Sequence, residues 1–255
     1  MKPKISIQIL SMNRPALLSL TLSSVLRALA KSTLNFEIVL LDNGSNKQTL
    51  AVIEQYESRI TKAIFCGENT GMGNGWSTLA ANSSAEYFLT LENDWWCGRT
   101  TDKWLQDAIE ILDTYNKIGL VKLRSIGDSN PHGYAEKHYR PWSKLRMDHV
   151  SQGFANGRPF EHAESTETSF TFNPVLVRRE LISSLSAAFV DEWNGEQYLL
   201  STENRVNHAW QTQNLWRAAA LLRGPFHHIG FHSRRDRYPA LPSIMVREWL
   251  LKKFA

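Results

Sequence analysis

The sequence predicts an α/β fold in which a mostly parallel sheet is flanked by helices. Apolar segments of strand length alternate along the chain with segments whose apolar residues recur at helical spacing. Such alternation is typical of parallel strands joined by right-handed helical crossovers. Polar and acidic residues directly follow several strand segments, and open α/β sheets bind ligands at the carboxyl ends of their strands. We therefore expect a ligand site along that edge.

The composition is that of a globular protein with a small basic excess. The 255 residues are 42% hydrophobic and carry a net charge of +4, with a pI of about 9.1. This length allows one large α/β domain or two small ones. The excess suits an anionic ligand or a membrane surface, but without a run of Lys and Arg it is too weak to indicate nucleic-acid binding.

The cysteine content and the first residues predict a cytoplasmic protein. Only two cysteines occur, Cys66 and Cys97, which favours a reducing compartment. The chain enters a strand segment without the apolar region of a signal peptide, and no apolar run has the length that spans a bilayer. A basic, Trp-bearing helix over residues 243–254 could dock on the inner membrane face; packing on its own domain is the alternative.

The first third of the chain contains three strand segments and two helical segments. Residues 5–10 predict the first strand, a second strand ends in an Asp-Asn-Gly turn that begins at Asp42, and a third strand spans residues 61–65. Helical spacing is shown by Leu18, Leu22, Val25 and Leu29 in the first helix, and by Leu50, Ile53 and Tyr56 in the second.

A glycine-rich stretch, residues 66–84, follows the third strand. Glycines let backbone amides approach a phosphate closely, and a helix N-terminus favours an anion. The spacing matches neither the dinucleotide fingerprint nor the Gly-Lys-Ser/Thr ending of a P-loop. A flexible turn would explain these glycines equally well. They are Gly67, Gly71, Gly73 and Gly75.

An acidic tripeptide ends the strand predicted over residues 87–91. Glu92 and Asp94 lie two apart, so in extended geometry they point to the same side. Carboxylates at the end of a buried strand are costly without a partner, and paired oxygen ligands suit Mg²⁺ or Mn²⁺. The alternative is a surface turn in which Asp94 caps the next helix.

The second half of the sequence is less regular. A helix over residues 104–112 and a strand over 119–123 precede the polar residues 124–168, whose length indicates functional loops. Further segments are a strand over 168–177, a short helix over 178–185, a helix in the second half of 193–210, a small apolar segment over 218–222, and a basic, histidine-rich loop over 227–239.

Four pieces of sequence occur in a fixed order: ISIQILSMNRP, FEIVLLDNGS, ENTGMGNGW and YFLTLEND. Together they resemble the nucleotide-binding half of GT-A glycosyltransferases, specifically the inverting glycosyltransferase family two, with rhamnosyltransferase-like members closest in loop pattern. The resemblance covers residues 4–98 well and continues more thinly beyond them. It implies a single GT-A domain over residues 1–255, with a nucleotide-sugar half over 1–98 and an acceptor half over 99–255.

The resemblance also implies roles for the residues after each strand. The loop after the first strand holds the nucleotide, the acidic residue of the second strand receives the base, and the Asn-x-Gly loop lies near the diphosphate. The donor-binding residues are then Ser11, Asn13, Arg14, Asp42, Asn43, Asn69, Gly71, Glu92 and Asn93, with Met12 and Ser45 beside them.

The D-x-D motif of the family corresponds here to Glu92, Asn93 and Asp94, with Glu in place of the first Asp. The resemblance implies that Asp94 binds Mn²⁺ or Mg²⁺, which would neutralise charge on the leaving diphosphate. A late histidine often supplies a further ligand. His228 matches it best and His232 is the second candidate, although these histidines could also be plain loop residues.

Inversion requires a base that deprotonates the acceptor hydroxyl. The resemblance places this base at Glu203, with Asn204 where a second acid often stands, and Asp191 and Glu192 are rivals; a solvated helix face would explain each of them. Other candidate substrate contacts are Trp95, Trp96, Trp142 and Trp193 for the acceptor sugar, and Arg234, Arg235 and Arg237 for the diphosphate.

The sequence therefore predicts a metal-dependent, inverting glycosyltransferase. It would move a sugar from a nucleoside-diphosphate sugar to a hydroxyl of a glycan or glycoconjugate. A non-catalytic sugar-nucleotide or carbohydrate-binding protein is the alternative, because Glu92 and Asn204 depart from the family pattern. A nucleotidyltransferase is less favoured, because SMNRP lacks the glycines that follow the first strand in that class.

Overall fold

The computed structural model describes residues 3–125, 150–190, 192–193, 198–200 and 202–230. For 192–193 and 198–200 it describes the backbone alone. Within these ranges no helix combines the length and apolarity needed to cross a membrane.

The described chain alternates strands and helices as the sequence predicts. The helices are α1 (Pro15–Leu29), α2 (Lys47–Gln55), α3 (Met72–Ala81), α4 (Lys103–Thr114), α5 (Arg179–Leu185) and α6 (Thr202–Gln213). The strands are β1 (Ile5–Ser11), β2 (Phe36–Asn43), β3 (Lys62–Cys66), β4 (Tyr87–Glu92), β5 (Trp95–Cys97), β6 (Ile118–Lys122), β7 (Ser151–Ala155), β8 (Arg158–Glu164), β9 (Val175–Arg178), β10 (Glu192–Trp193), β11 (Tyr198–Leu200), β12 (Arg217–Leu221) and β13 (Phe226–His228).

Nine of these strands form one sheet in the order β3-β2-β1-β4-β9-β6-β12-β8-β7. The first four are mutually parallel, and β9 is inserted antiparallel between β4 and β6. β12 pairs in parallel with β6, and β8 and β7 continue the sheet as antiparallel strands. The α/β class with helix-flanked, mostly parallel strands is thus confirmed, with antiparallel additions in the second half.

Two apolar clusters cover opposite faces of the sheet. One combines β1 residues such as Ile7 with the buried sides of α1 and α4, represented by Leu22 and Leu105. The other combines β2 residues such as Val39 with α3, represented by Trp76, and with α5 and α6. Because successive strand residues point to opposite faces, β1 and β2 serve both layers, which leaves the strand ends as the edge where polar side chains gather.

The expectation of loops throughout residues 124–168 is wrong for its second part. β7 and β8 form an antiparallel hairpin that pairs with β12. Its turn is Asn156–Gly157, both at positive φ, of 48° and 72°, and an Asn-Gly pair is a strong hairpin signal. Residues 126–149 lie outside the described residues. The strand expected over 168–177 is also shorter, because β9 begins only at Val175.

Two further expectations near the acidic tripeptide change. A strand, β5, follows Asp94, so the alternative that Asp94 caps a helix is wrong. β5 pairs antiparallel with β13, so His227 and His228 lie in a strand and not in the expected loop.

Candidate functional site

The polar residues that follow β1, β2 and β4 converge at one edge of the sheet. β1 pairs in parallel with both β2 and β4, with Ser11 aligned to Asp42 and Leu10 aligned to Glu92. The three loops therefore leave the sheet side by side. The first strand ends one residue later than expected, and Ser11 is fully buried within it.

The turn after β1 has a strained backbone. Asn13 and Arg14 have φ of 55° and 58°, a left-handed conformation that costs a residue with a Cβ about 1–2 kcal/mol. Arg14 also precedes Pro15, the first residue of α1, and a residue before proline disfavours helical conformations. Such strain persists only where neighbouring groups hold it.

Three side chains hold this turn in place. The backbone N–H of Asn13 donates to Ser45 Oγ at 2.7 Å, and Asn13 Oδ1 accepts from the backbone N–H of Asn46 at 3.0 Å. Asn93 Nδ2 donates to the carbonyl oxygens of Met12 at 3.2 Å and Asn13 at 2.9 Å. The loops after β2 and β4 thus clamp the turn after β1 from two sides.

The end of β2 presents a buried carboxylate. Asp42 is 1% exposed, and its Oδ2 accepts from the backbone N–H of Ser45 at 3.0 Å. Its Oδ1 is buried without a hydrogen-bond partner among the described residues. Gly44 makes the following turn at φ 77°, where a Cβ would lie 2.4 Å from the carbonyl carbon of Glu68, so only glycine fits.

The Asn43 side chain holds the glycine-rich loop in place through hydrogen bonds. Its Oδ1 accepts from the backbone N–H of Thr70 at 2.9 Å, and its Nδ2 donates to Asn69 Oδ1 at 3.0 Å and to the Gly71 carbonyl at 3.1 Å. Asn69 Oδ1 also accepts from the Gly71 N–H at 2.9 Å. The side chains of Asn43 and Asn69 therefore shape the loop before α3, while the donor contacts predicted for them remain a prediction.

Asp94 lies at the centre of the site, in contact with both Arg14 and His228. Its side chain is 6% exposed, and its Oδ2 receives Arg14 Nη1 at 2.7 Å in an ion pair and lies 3.3 Å from His228 Nε2. Burial opposes ionisation of Asp94, but His228 and Arg14 together lower the pKa of its carboxyl below the usual range. Asp94 Oδ1 is buried and has no hydrogen-bond partner among the described residues.

The short β5–β13 pair brings His228 to Asp94. His228 is in register with Trp95, and the backbone N–H of Ile229 donates to the Asp94 carbonyl at 2.9 Å. Gly230 lets the backbone after β13 lie close to Asp94, because a Cβ at this position would be 2.1 Å from Asp94 Oδ2. The sequence gives no strand signal at Phe226–His228, so this route to the site could not be found from pattern alone.

Helix α1 positions β5 through two buried hydroxyl groups. Thr21 Oγ1 accepts from the backbone N–H of Trp95 at 3.2 Å, and Ser24 Oγ accepts from that of Cys97 at 3.0 Å. Helical periodicity places both residues on the buried side of α1, but it does not reveal that they serve as acceptors for another strand.

Glu92 differs from Asp94 in the direction of its pKa shift. Burial, followed by the neighbouring Asp94 and then Glu203, raises the pKa of the Glu92 carboxyl above its ordinary value. Two nearby carboxyls in one low-dielectric site cannot both ionise freely. The pKa values of the two carboxyls of the D-x-D-like motif are thus shifted in opposite directions, that of Glu92 upward and that of Asp94 downward.

Glu203 lies in the first turn of α6. Its Oε1 accepts from the backbone N–H of Phe172 at 3.2 Å, and Phe172 stacks on Trp76 of α3 with centroids 5.2 Å apart. Burial raises the pKa of the Glu203 carboxyl. The charge of Glu203 also contributes to the raised pKa of Glu92, while the role of Glu203 as a base remains a prediction.

A sequence profile described as "Glycosyl transferase family 2" matches residues 6–165. This match covers more than half of the chain, and it includes the loops after β1, β2 and β4.

The chain belongs to glycosyl transferase family 2.

Solved structures of similar fold support the architecture of this family 2 chain. Residues 1–349 of S. aureus TarS match with a TM-score of 0.63 and 16% identity, over 90% of this chain and 61% of that one. The same protein in complex with UDP-GlcNAc gives 0.61 and 16%, over 89% and 58%. The chain thus spans about three fifths of the TarS segment. The sequence matches no curated protein.

A third relative in structure is the mannosyltransferase PcManGT of Pyrobaculum calidifontis in complex with GDP-Man and Mn²⁺. It has a TM-score of 0.56 and 14% identity, over 86% of this chain and 54% of that chain. At such identities the likeness shows the fold, which is GT-A as the sequence resemblance implied.

The residues of this family 2 chain fit a divalent cation in part. The two predicted ligands, Asp94 and His228, are in contact, with Asp94 Oδ2 3.3 Å from His228 Nε2. The buried Asp94 Oδ1 accepts no hydrogen bond among the described residues, so it could coordinate a cation. Across the described ranges, however, no group of three or more His, Cys, Asp or Glu side chains is arranged around one metal position. Mg²⁺-type sites often use one or two carboxylates and take further ligands from substrate phosphates and water, so a donor diphosphate would have to complete the set.

Several predicted contacts lie outside the described residues. These are Asp191, Trp142, His232, Arg234, Arg235, Arg237 and the stretch 243–254, together with the side chains of Glu192 and Trp193. Of the other two candidate tryptophans, Trp95 is 1% exposed and lies in the core against His228. Trp96 is half-buried beside Arg27, whose guanidinium lies 5.9 Å from its ring. Trp95 therefore has no face open to an acceptor sugar.

Proposed function

We propose that this chain transfers a sugar from a nucleoside-diphosphate sugar to a hydroxyl group of a glycan or glycoconjugate, with inversion and with a bound Mn²⁺ or Mg²⁺. The observation that carries the proposal is Asp94. It is a buried carboxylate at the carboxyl edge of the sheet, flanked by Arg14 and His228, which lower its pKa.

The donor would occupy the edge formed by the loops after β1, β2 and the glycine-rich segment. Asp42 offers a carboxylate for the base, and the backbone around Gly71 opens α3 toward the diphosphate, where a helix N-terminus favours anions. Support comes from neighbours of the same fold: TarS has been solved with UDP-GlcNAc and with UDP, and PcManGT with GDP-Man.

Asp94 and His228 would hold the divalent cation. When bound, the cation acts as a Lewis acid that stabilises the charge developing on the leaving diphosphate. The chain's own contribution is to keep Asp94 ionised, because His228 and Arg14 lower its pKa. The cationic Arg14 side chain adds further positive charge beside the leaving group.

Glu203 would act as the base. It takes the proton from the acceptor hydroxyl while the acceptor oxygen forms a bond to the sugar's anomeric carbon. The bond from that carbon to the diphosphate oxygen breaks on the opposite face, so the nucleoside diphosphate leaves with the bonding electron pair. A raised pKa makes Glu203 a stronger base than a solvated glutamate once it is ionised.

The test is calorimetric titration of the purified chain with UDP, GDP, dTDP and CMP, each with and without Mn²⁺. We expect one nucleoside diphosphate to bind in a metal-dependent manner. Asp94→Asn should weaken that binding by about 2 kcal/mol or more, since it removes one partner of a buried charged pair. Asp113→Asn is the matched control and should leave nucleotide binding unchanged, because Asp113 lies in α4 and contacts β4 at Tyr87, the end of that strand far from Asp94.

Two outcomes would contradict the proposal. If no nucleotide binds, the chain is not an active transferase, and a glycan-binding screen becomes the next experiment. If a nucleotide binds equally well without Mn²⁺ and to Asp94→Asn, the metal-dependent part is wrong.

A further inference from the structure

Arg14 occupies the carboxylate that the proposed metal needs. Its Nη1 lies 2.7 Å from Asp94 Oδ2, the same oxygen that faces His228 Nε2 at 3.3 Å. The Arg14 side chain is 39% exposed, whereas that of Asp94 is 6% exposed. The guanidinium is therefore the solvent-side neighbour of a carboxylate that is otherwise enclosed by protein.

The backbone of Arg14 is fixed in this position. It stands second in the strained turn, which the side chains of Asn93 and Ser45 clamp from both sides, and Pro15 begins α1 immediately after it. The side chain is the part that can move. The strain thus has a structural result, because it aims a long, flexible cation at Asp94 from an anchored Cα.

A guanidinium and a divalent cation compete for one carboxylate. They share the same anionic oxygen, and their like charges repel one another in a partly desolvated site. A diphosphate removes this competition, because its oxygens offer the guanidinium a bidentate partner and give the metal additional ligands. Binding of metal and nucleotide would then be coupled through one side chain.

We infer that Arg14 is a resident cation that makes metal binding depend on the nucleotide. In the free protein it neutralises Asp94 and weakens binding of the bare metal ion. When the sugar nucleotide arrives, Arg14 transfers to the diphosphate and releases Asp94 to the metal. This inference rests on the proposed function, since it requires a nucleotide and a metal to share the site.

The experiment measures a thermodynamic cycle of Mn²⁺ and nucleotide binding, and it does not depend on enzymatic activity. The free Mn²⁺ signal in electron paramagnetic resonance gives the Mn²⁺ affinity of the wild-type chain alone and with saturating UDP, or with GDP if UDP does not bind. The ratio of the two affinities is the coupling factor, and such factors usually lie between about 5 and 150. Arg14→Ala and Arg14→Gln are then measured in the same way.

We expect Arg14→Ala to bind Mn²⁺ alone roughly tenfold more tightly than the wild type, with a coupling factor lowered by a similar amount. Arg14→Gln keeps a hydrogen-bond donor for Asp94 but loses the charge, so it should show the same direction of change even if Arg14→Ala folds poorly. Arg59→Ala removes an exposed arginine after α2 and should match the wild type in both quantities.

The outcomes separate this inference from the proposed function. If the wild type binds Mn²⁺ and nucleotide cooperatively, but both Arg14 variants bind bare Mn²⁺ no more tightly, Arg14 is only a structural partner of Asp94 and the inference is overturned. If the wild type binds neither nucleotide in the presence of Mn²⁺, the proposed function fails first, and the inference fails with it.

Discussion

The proposed donor side and the proposed acceptor side of the site differ in how firmly their polar groups are held. On the donor side Asn13, Asn43 and Asn93 each bond to backbone groups of a neighbouring loop. On the acceptor side Glu203 accepts one hydrogen bond, from the N–H of Phe172, among the described residues. The geometry of the proposed donor loops is therefore set by the fold, whereas the proposed base, Glu203, is held by fewer contacts at the start of a helix. Changes on the first side should affect folding and binding together, and a change at Glu203 should affect turnover alone.

The largest expected effect is at Glu203. Glu203→Gln should lower kcat by about 10²–10⁴-fold, the usual contribution of a general base, with nucleotide affinity and melting temperature unchanged. Steady-state assays with the donor identified by calorimetry would measure it. Glu180→Gln, on the exposed side of α5, is the matched control. Full activity of the Glu203 variant would remove this residue from the mechanism.

The same residue predicts a pH dependence. A base must be ionised to act, so kcat/KM should fall as pH drops through its pKa. Because burial raises the pKa of Glu203, this acidic limb should lie at higher pH than for a solvated glutamate. A pH–rate profile of the wild type tests the expectation. A limb at or below the ordinary glutamate range would indicate that another group is titrating.

Two glycines of similar φ, Gly44 in a proposed donor loop and Gly157 in the β7–β8 turn, allow the cost of an added methyl group to be compared between the two regions. Gly44→Ala should destabilise the protein by more than about 2 kcal/mol, because a left-handed alanine is strained and its Cβ would meet Glu68 backbone at 2.4 Å. Gly157→Ala in the β7–β8 turn meets no atom within 4 Å, so it should cost only about 1–2 kcal/mol. Urea unfolding of both measures the difference, and equal losses would show that the Gly44 loop yields to the added atom.

A substitution of Asn93 tests the side-chain contacts that hold the turn after β1. Asn93→Ala leaves the Met12 and Asn13 carbonyls without their side-chain donor, which should cost about 1–3 kcal/mol of stability and weaken nucleotide binding as well. Thermal unfolding and calorimetry report the two losses. If stability falls but nucleotide affinity does not, the turn after β1 does not contact the donor.

The smallest expected effect lies away from the site. Asp113 accepts from Lys4 Nζ at 2.7 Å and from the Tyr87 hydroxyl at 2.6 Å. Burial opposes its ionisation, but these hydrogen bonds lower its pKa. Its stabilisation is therefore present above the unfolded pKa and is lost as pH falls through the lower folded value. Asp113→Asn should cost about 1 kcal/mol at neutral pH and nothing in strong acid; a pH-independent loss would contradict this.

The convergence of Asp42, Asn43 and Asp94 could be predicted from the sequence because each lies at or just after the end of a strand, and parallel strands end at one edge of a sheet. Their roles toward a donor came from the family resemblance and stay predictions. The pairing of Asp94 with Arg14 could not be predicted from the sequence. It depends on the left-handed backbone of Asn13 and Arg14, and hydrophobic periodicity does not indicate such a conformation. His228 was found by family resemblance, while its strand pairing with β5 has no local signal.

The second half was less predictable because its sheet order departs from chain order. β9 enters antiparallel between β4 and β6, and this position depends on pairing between strands far apart in the chain, which no local pattern indicates. The β7–β8 hairpin is a different case. Its Asn156–Gly157 turn was visible in the sequence, and the polar composition around it obscured that signal.

Asp94 and His228 are 134 positions apart in the chain, and this separation has a consequence for protein synthesis. A ribosome adds about 5–20 residues per second, so the segment that carries Asp94 leaves the exit tunnel on the order of ten seconds before the strand that carries His228. During that interval Arg14, which is already made, is available to shield the carboxylate. The contact between Asp94 and Arg14 can therefore form before β13 has been translated, whereas the contact between Asp94 and His228 cannot.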